Sequence, residues 1–296
     1  MTLPNTIIIG ASKCGTTALH SYFERHKDIY TTTKKELHFH AYDALKRKIG
    51  GEGDKYLIKY ICTSFSEYQD YYKDFNEEKS ITDVSPSYLF FPDESIASIK
   101  KHCGENVKII ILVRNPVDKM ISQYSHLYSA GREALSFQDA LEKEIERKKN
   151  SFSDMWLYRE SGYMSDKVLQ FKKNFKDVLV LHSKDLNQNP KSTLEEIFEF
   201  IGVDSIGFDY SSLKTNVSGI PKNRLVAKVF IKPNIFTYAL RKVIPQQLGR
   251  AIRDFINRNN KGAKLKVSQE LRNQLDREYK VEVGRLNSLI VSKTKI

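Results

Sequence analysis

The chain has little of what a small secreted or membrane-bound protein needs. Its three cysteines, Cys14, Cys62 and Cys103, are too few and too scattered for a disulfide framework or a zinc site. No apolar run approaches the roughly 18 residues of a membrane span, and the run at residues 109–113 is short. The opening residues, MTLPNTIII, contain neither a basic segment nor a small-residue cleavage site, so no secretory signal is expected. Internal repeats, low-complexity tracts and Pro/Gly-rich linkers are missing as well. Together these absences lead us to expect a protein of a reducing, cytoplasmic compartment with no transmembrane segment.

What is present suits a globular chain. It has 296 residues, 40% of them apolar and 28% charged. That is long enough to bury a full core without covalent staples. The net charge of +12 is unevenly spread: residues 221–296 hold 18 Lys/Arg against 5 Asp/Glu, while the first 220 residues are close to neutral. A basic C-terminal quarter suits an anionic partner such as a phosphorylated cofactor, an acidic glycan, a membrane surface or nucleic acid. A solvated helical face explains it equally well. We expect residues 1–296 to form one domain, with 221–296 as helices packed on it.

Residues 6–10 (TIIIG) form a short β-branched run ending at glycine, and Ala18, Leu19, Tyr22 and Phe23 follow at helical spacing. The pattern predicts strand, tight loop, helix. Further strands are expected at 28–33, 80–84, 107–113 and 178–181. Helices are expected at 65–75, 92–103, from Pro116 onward, at 136–149, 162–175 and 190–201. Pro116 suits a first helical turn, and Gly202 suits a helix stop. Alternating strands and helices imply an α/β fold, a mainly parallel sheet flanked by helices.

The first strand–loop–helix is a phosphate cradle in outline, because N–H groups and the dipole at a helix start attract an anion. Gly10 and Gly15 have the spacing of the GxxxxGK[ST] loop of ATPases. Thr16, however, stands where that motif has lysine, and the loop's lysine is Lys13. The strand at 107–113 ends in Arg114, not in an acidic Mg²⁺ ligand. The loop therefore points to a 5′-phosphate held without metal. A second anion site is suggested by Arg114 with Ser122, eight residues on: Arg offers a fork of donors and Ser a neutral one. Taken alone, this pair also fits a surface Arg–Asp contact beside a helix-surface serine.

Lys13-Cys14-Gly15-Thr16-Thr17 resembles the 5′-phosphosulfate loop of sulfotransferases that use 3′-phosphoadenosine 5′-phosphosulfate (PAPS). The resemblance implies a P-loop-like sulfotransferase fold. It also implies a Lys13 contact to the oxygen bridging phosphate and sulfate, with Gly15, Thr16 and Thr17 on the 5′-phosphate. The stretch LVRNPVDKMISQYSH is similar to the family's text around its 3′-phosphate site, which places Arg114 and Ser122 there. KKELHFH resembles the family's KExHFF segment. By that likeness Glu36 is the base that takes the acceptor proton, with His38 beside it; a strand-end carboxylate and a packed histidine are the alternatives. His40 departs from the pattern and receives no role.

Residues 82–88 (TDVSPSY) resemble a segment that lines the acceptor cleft, with Val84 where many heparan-type members have lysine. Asp83 and Tyr88 either shape that cleft or belong to the core. The likeness places Tyr163 near the nucleotide, and Lys222 and Arg224, in NVSGIPKNR, over the 3′-phosphate. The resemblance spans residues 6–290. It implies sulfuryl transfer to an acceptor hydroxyl, first of all on a carbohydrate, with adenosine 3′,5′-bisphosphate as product and no metal. A P-loop kinase and a non-enzymatic polyanion-binding protein are the competing readings. Nucleic acid is disfavoured, since no zinc finger, helix-turn-helix or aromatic RNA-binding signature is present. Without a membrane anchor, the likeness suggests a bacterial, cytoplasmic enzyme.

Overall fold

The computed structural model describes residues 2–211, 213 and 265–290. Lys222 and Arg224 lie outside the described residues, as does most of the basic C-terminal quarter. Five strands, β1 (Thr6–Gly10), β2 (Ile29–Thr31), β3 (Ser80–Val84), β4 (Lys108–Val113) and β5 (Val178–His182), form one sheet in the order β2-β3-β1-β4-β5. Every pairing is parallel, with Thr6 opposite Thr82 on one side and Lys108 on the other. Ile7, Ile8, Ile9 and the residues from Ile109 to Val113 are fully buried. Helices cover both faces of such a sheet, which is why its strands read as unbroken apolar runs and not as alternation.

The helices that frame the site are α1 (Thr16–Phe23), α2 (Pro92–Cys103), α3 (Pro116–Ser129), α4 (Ser165–Asn174), α5 (Pro190–Ile201), α6 (Gln269–Glu278) and α7 (Lys280–Leu289). Pro116 opens α3, and the Asn115 side chain caps it by accepting from the Val117 and Asp118 N–H groups. Gly202 ends α5 in the left-handed conformation at φ 84°. The helix expected over 136–149 is instead two, Phe137–Glu142 and Glu144–Lys149. Charged residues of the second turn inward: Glu144 accepts from the Arg159 and Glu160 N–H groups, and Arg147 pairs with buried Glu133 at 2.8 Å.

The helices α6 and α7 pack on the rest of the fold. Leu275 and Tyr279 join Met120, Tyr124, Trp156 and Tyr158 in a second core, while Leu286 reaches the main one. Arg272 pairs with Asp118 at 2.8 Å, and buried Glu282 accepts from the Met164 and Ser165 N–H groups at 2.7 Å each. Among the described residues no helix is long and apolar enough to cross a membrane.

The strand order fixes where a ligand can sit. From β1 the chain builds β2 and β3 on one side of it, then crosses to build β4 and β5 on the other. Strand β1 is therefore the place where the winding reverses, and the loops after the carboxyl ends of β1, β3 and β4 meet in a crevice there.

Candidate active site

The loop from Ala11 to Gly15 leaves β1 at that crevice. Gly10 cannot carry a side chain, because a Cβ there would stand 2.7 Å from Leu89 Cβ and 3.2 Å from Pro86 O. The loop is thereby held against the segment that follows β3. Gly15, at φ 99°, is the residue from which α1 starts. A left-handed conformation there costs glycine little, and the first N–H groups of α1, which have no partner inside the helix, follow it directly. Thr16 is buried and Thr17 exposed. The Cys14 thiol is buried, and burial pushes it up to about 11, so it is a packing residue of the loop.

Lys13 sits at φ 66° within this loop. Burial holds its ammonium below the ordinary lysine range; Glu36 opposes that effect, and Lys35 and Arg114 add to it. Arg114, at the end of β4, donates to the Lys13 carbonyl at 3.4 Å, tying the two loops together. Among the described residues no carboxylate pairs with Arg114. Asp118, its expected surface partner, is instead engaged by Arg272. Ser122 is only 8% exposed, on α3, and so is not a helix-surface serine. Apart from that bond to the Lys13 carbonyl, Arg114 presents a guanidinium with no carboxylate partner among the described residues at the carboxyl edge of the sheet.

On the other side of the crevice, Glu36 and His38 hold left-handed backbone conformations, at φ 62° and 55°. Such conformations in non-glycine residues persist where surrounding contacts impose them, often at functional sites. Those contacts are on hand. The Glu36 N–H donates to Val84 O at the end of β3, and the His38 N–H donates to Ser85 Oγ. Ser85 in turn donates to Asp83, a fully buried carboxylate that also accepts from the Tyr68 and Tyr88 hydroxyls at 2.9 and 2.8 Å. Asp83 and Tyr88 are thus core residues beneath the cleft, the second of the alternatives open in the sequence. His40 is buried likewise, between Ser98 and Tyr68.

The Glu36 side chain is 40% exposed, whereas His38 is buried behind it. His38 Nδ1 meets Ser87 Oγ at 2.6 Å, and Nε2 lies 3.7 Å from Glu36 Oε2. Lys35 Nζ stands 2.5 Å from Glu36 Oε1 and donates to Thr17 Oγ1 at 2.9 Å. Burial alone pushes the Glu36 carboxyl up. The nearby His38 ring and the charge of Lys35 outweigh it and hold the group well below the usual carboxylate range. Lys35 therefore joins Glu36 to the phosphate-type loop in one site. Nothing local in KKELHFH marks this role, because the partner, Thr17, lies 18 positions away. Lys34 turns away to the Tyr71 hydroxyl.

A crevice beside the loop is lined by Ala11 and Ser12, by Pro86, Leu89 and Phe90, and by Lys119, Asp154, Ser161, Met164 and Lys167. Tyr163 does not line it; that ring is 45% exposed and packs on Tyr279, with centroids 4.8 Å apart. Among the described residues no cluster of His, Cys, Asp or Glu is arranged to hold a metal ion.

Comparison with known proteins agrees with this architecture. The family model of the sulfotransferase domain matches residues 3–218. A sulfotransferase from Alicyclobacillus acidocaldarius superposes with a TM-score of 0.77 at 25% identity, covering 99% of this chain and 98% of that one. Mouse heparan sulfate glucosamine 3-O-sulfotransferase 3A1 is 24% identical over 74% of this chain and 51% of its own length. Human carbohydrate sulfotransferase 15 is 22% identical over 72% of this chain and 46% of its own. The membrane-associated sulfotransferase kil1 of Dictyostelium discoideum is 31% identical over 41% of this chain and 22% of its own. The chain thus spans about half, or less, of these curated relatives. With the family model of the sulfotransferase domain covering residues 3–218, most of the chain, the chain belongs to the sulfotransferase family.

Proposed function

We propose that the protein transfers a sulfuryl group from PAPS to an acceptor hydroxyl, most readily one on a carbohydrate. The observation that carries this reading is the Lys35 bridge, which ties the exposed Glu36 carboxylate to Thr17 of the anion-binding loop. A proton acceptor and a phosphate cradle thereby face one crevice. Carbohydrate and heparan sulfate sulfotransferases among the relatives support the glycan acceptor.

The residues present fit the donor. The start of α1, with Thr16 and Thr17, suits a 5′-phosphate. Arg114, free of carboxylate partners among the described residues, suits the 3′-phosphate, and Ser122 is assigned to it as well. Cys14 packs the loop, and Gly15 gives its backbone room. Lys222, Arg224 and Tyr163 remain assigned to the nucleotide on the family likeness alone. PAPS supplies a sulfuryl group whose leaving group is a phosphate oxygen. Lys13 is placed to offset the charge that develops on that oxygen as the S–O bond lengthens.

Glu36 is the proposed base: the acceptor oxygen bonds to sulfur as its proton passes to the carboxylate. His38, buried between Ser87 and Glu36, orients that carboxylate and does not face the crevice directly. We include in this proposal that residues 1–296 make one domain, supported by the contacts of α6 and α7. A reducing, cytoplasmic setting is supported by three cysteines that are all free thiols.

The test is transfer from radiosulfur-labelled PAPS to a panel of oligosaccharides in the presence of EDTA. Labelled product that disappears in Lys13→Ala supports the reading. Release of free sulfate at the same rate with and without every acceptor counts against it.

A further inference from the structure

The crevice beside the donor loop contains an electrostatic imbalance. Lys119 reaches it from α3 and is 2% exposed. Its ammonium donates to Gln123 Oε1 at 2.9 Å. That amide is fixed from both ends: Gln123 Nε2 donates to Asp154 O at 2.8 Å, and Ser161 Oγ donates to Gln123 Oε1 at 3.0 Å. Lys119 is thus held by a neutral group. Lys167, from α4, lies with Nζ 3.9 Å from the centre of the Phe90 ring. Among the described residues neither ammonium has a carboxylate oxygen within 4.0 Å. Asp154 shares the crevice and leaves its lining with one net positive charge.

Burying an ammonium without an ion-pair partner costs several kcal/mol after relaxation, and proteins normally avoid it. Burial lowers both lysines from the ordinary range, Lys119 to about 8. A ligand anion restores what the protein leaves out. The place is informative too, since one wall is Ala11 and Ser12 of the donor loop and another is Pro86, Leu89 and Phe90, just after the strand that carries the Glu36 backbone. A group bound here lies beside the reacting centre.

We propose that this crevice is an anion subsite in which Lys119 and Lys167 receive a carboxylate or sulfate group carried by the acceptor. The inference rests on the sulfotransferase reading and narrows its substrate class to acidic acceptors, such as uronic-acid-containing or already sulfated glycans. The lysines come from α3 and α4, elements on which the sequence likeness places no acceptor contact, and they supply the positive charge that Val84 lacks.

The experiment uses the full chain saturated with adenosine 3′,5′-bisphosphate, so that the donor loop is filled. Sodium sulfate and sodium acetate are then titrated separately by calorimetry at constant ionic strength. A further sulfate or acetate site is expected on the wild type, weakened by about 10- to 150-fold in Lys119→Met and in Lys167→Met, the range for a hydrogen bond to a charged group. Lys119→Arg, which keeps the charge, should retain it. Binding of sulfate alone selects a sulfated acceptor; binding of acetate selects a carboxylated one. No added site on the loaded wild type, or binding that both Met variants preserve, overturns the proposal. Failure of adenosine 3′,5′-bisphosphate itself to bind is a different result and counts against the sulfotransferase reading. In that case sulfate titrations comparing Lys13→Ala with Lys119→Met still report on the crevice.

Discussion

Replacing Lys35 by methionine keeps the side chain's length and removes its charge, and the pH profile of turnover should respond in one direction. Lys35 Nζ lies 2.5 Å from Glu36 Oε1 and helps to hold that carboxyl below its ordinary range. An opposite charge this close lowers a carboxylate by about 1–3 pH units. Glu36 is 40% exposed, so solvent screening keeps the effect near the low end, about one pH unit. The other groups facing Glu36 stay in place: His38 on its own segment, Lys13 on the loop, His20 on α1 and His126 on α3.

The sign follows from the direction of the effect. Lys35 lowers the pKa of Glu36, so its removal raises it, and the acidic limb of the kcat/KM profile, which reports the acceptor-free enzyme, should move to higher pH by about one unit. The assay is kcat/KM for the acceptor against pH at saturating donor, for wild type, Lys35→Met, Lys35→Arg and Lys34→Met. Lys35→Arg and Lys34→Met should leave the limb where it is, the first because it keeps the charge and the second because Lys34 is directed to Tyr71. An acidic limb that stays put in Lys35→Met, or moves to lower pH, would refute the assignment of Glu36 as the titrating base.

Three further outcomes follow from the same geometry. Lys13→Ala should lower kcat by about 10²–10³ while acceptor KM changes little, as expected when one donor to a developing charge is lost; unchanged kcat with weaker acceptor binding would contradict its role. Glu36→Gln should keep adenosine 3′,5′-bisphosphate binding and lower kcat by about 10²–10⁴; near-normal turnover there, with none in His38→Ala, would make His38 the base. Lys119→Met should raise thermal stability at neutral pH by up to about 3 kcal/mol, since burial lowers the ammonium from the ordinary lysine range to about 8 and each pH unit of that lowering corresponds to about 1.4 kcal/mol. The folded-state value for Lys119 lies below the unfolded one. Wild-type stability at this residue therefore rises with pH between about 8 and 10.5, and the gap to the variant should narrow across that window in melting curves.

The sheet was largely legible because parallel strands buried on both faces leave continuous apolar runs such as residues 7–9 and 109–113. Helix boundaries marked by Pro116, Pro190 and Gly202 were legible for a similar reason: each residue acts through its own backbone. Long-range polar contacts were not. Nothing local marks Arg159, Glu160 and Glu133 as the partners of Glu144 and Arg147. At the site, the loop and the KKELHFH segment stand out by residue type and spacing. The connection between them does not, since the Lys35–Thr17 hydrogen bond joins residues 18 positions apart across the sheet edge. The inward direction of Lys119 was likewise hidden, as a lysine in a helix otherwise reads as surface.

Calorimetry of nucleotide binding in EDTA tests the central claim most directly. Adenosine 3′,5′-bisphosphate should bind the wild-type chain without metal, and ATP should bind poorly. Arg114→Ala should weaken the bisphosphate by about 10- to 150-fold, the range for a lost hydrogen bond to a charged group. ATP binding that requires Mg²⁺ and equals or exceeds that of the bisphosphate, with Arg114→Ala indistinguishable from wild type, would contradict the account.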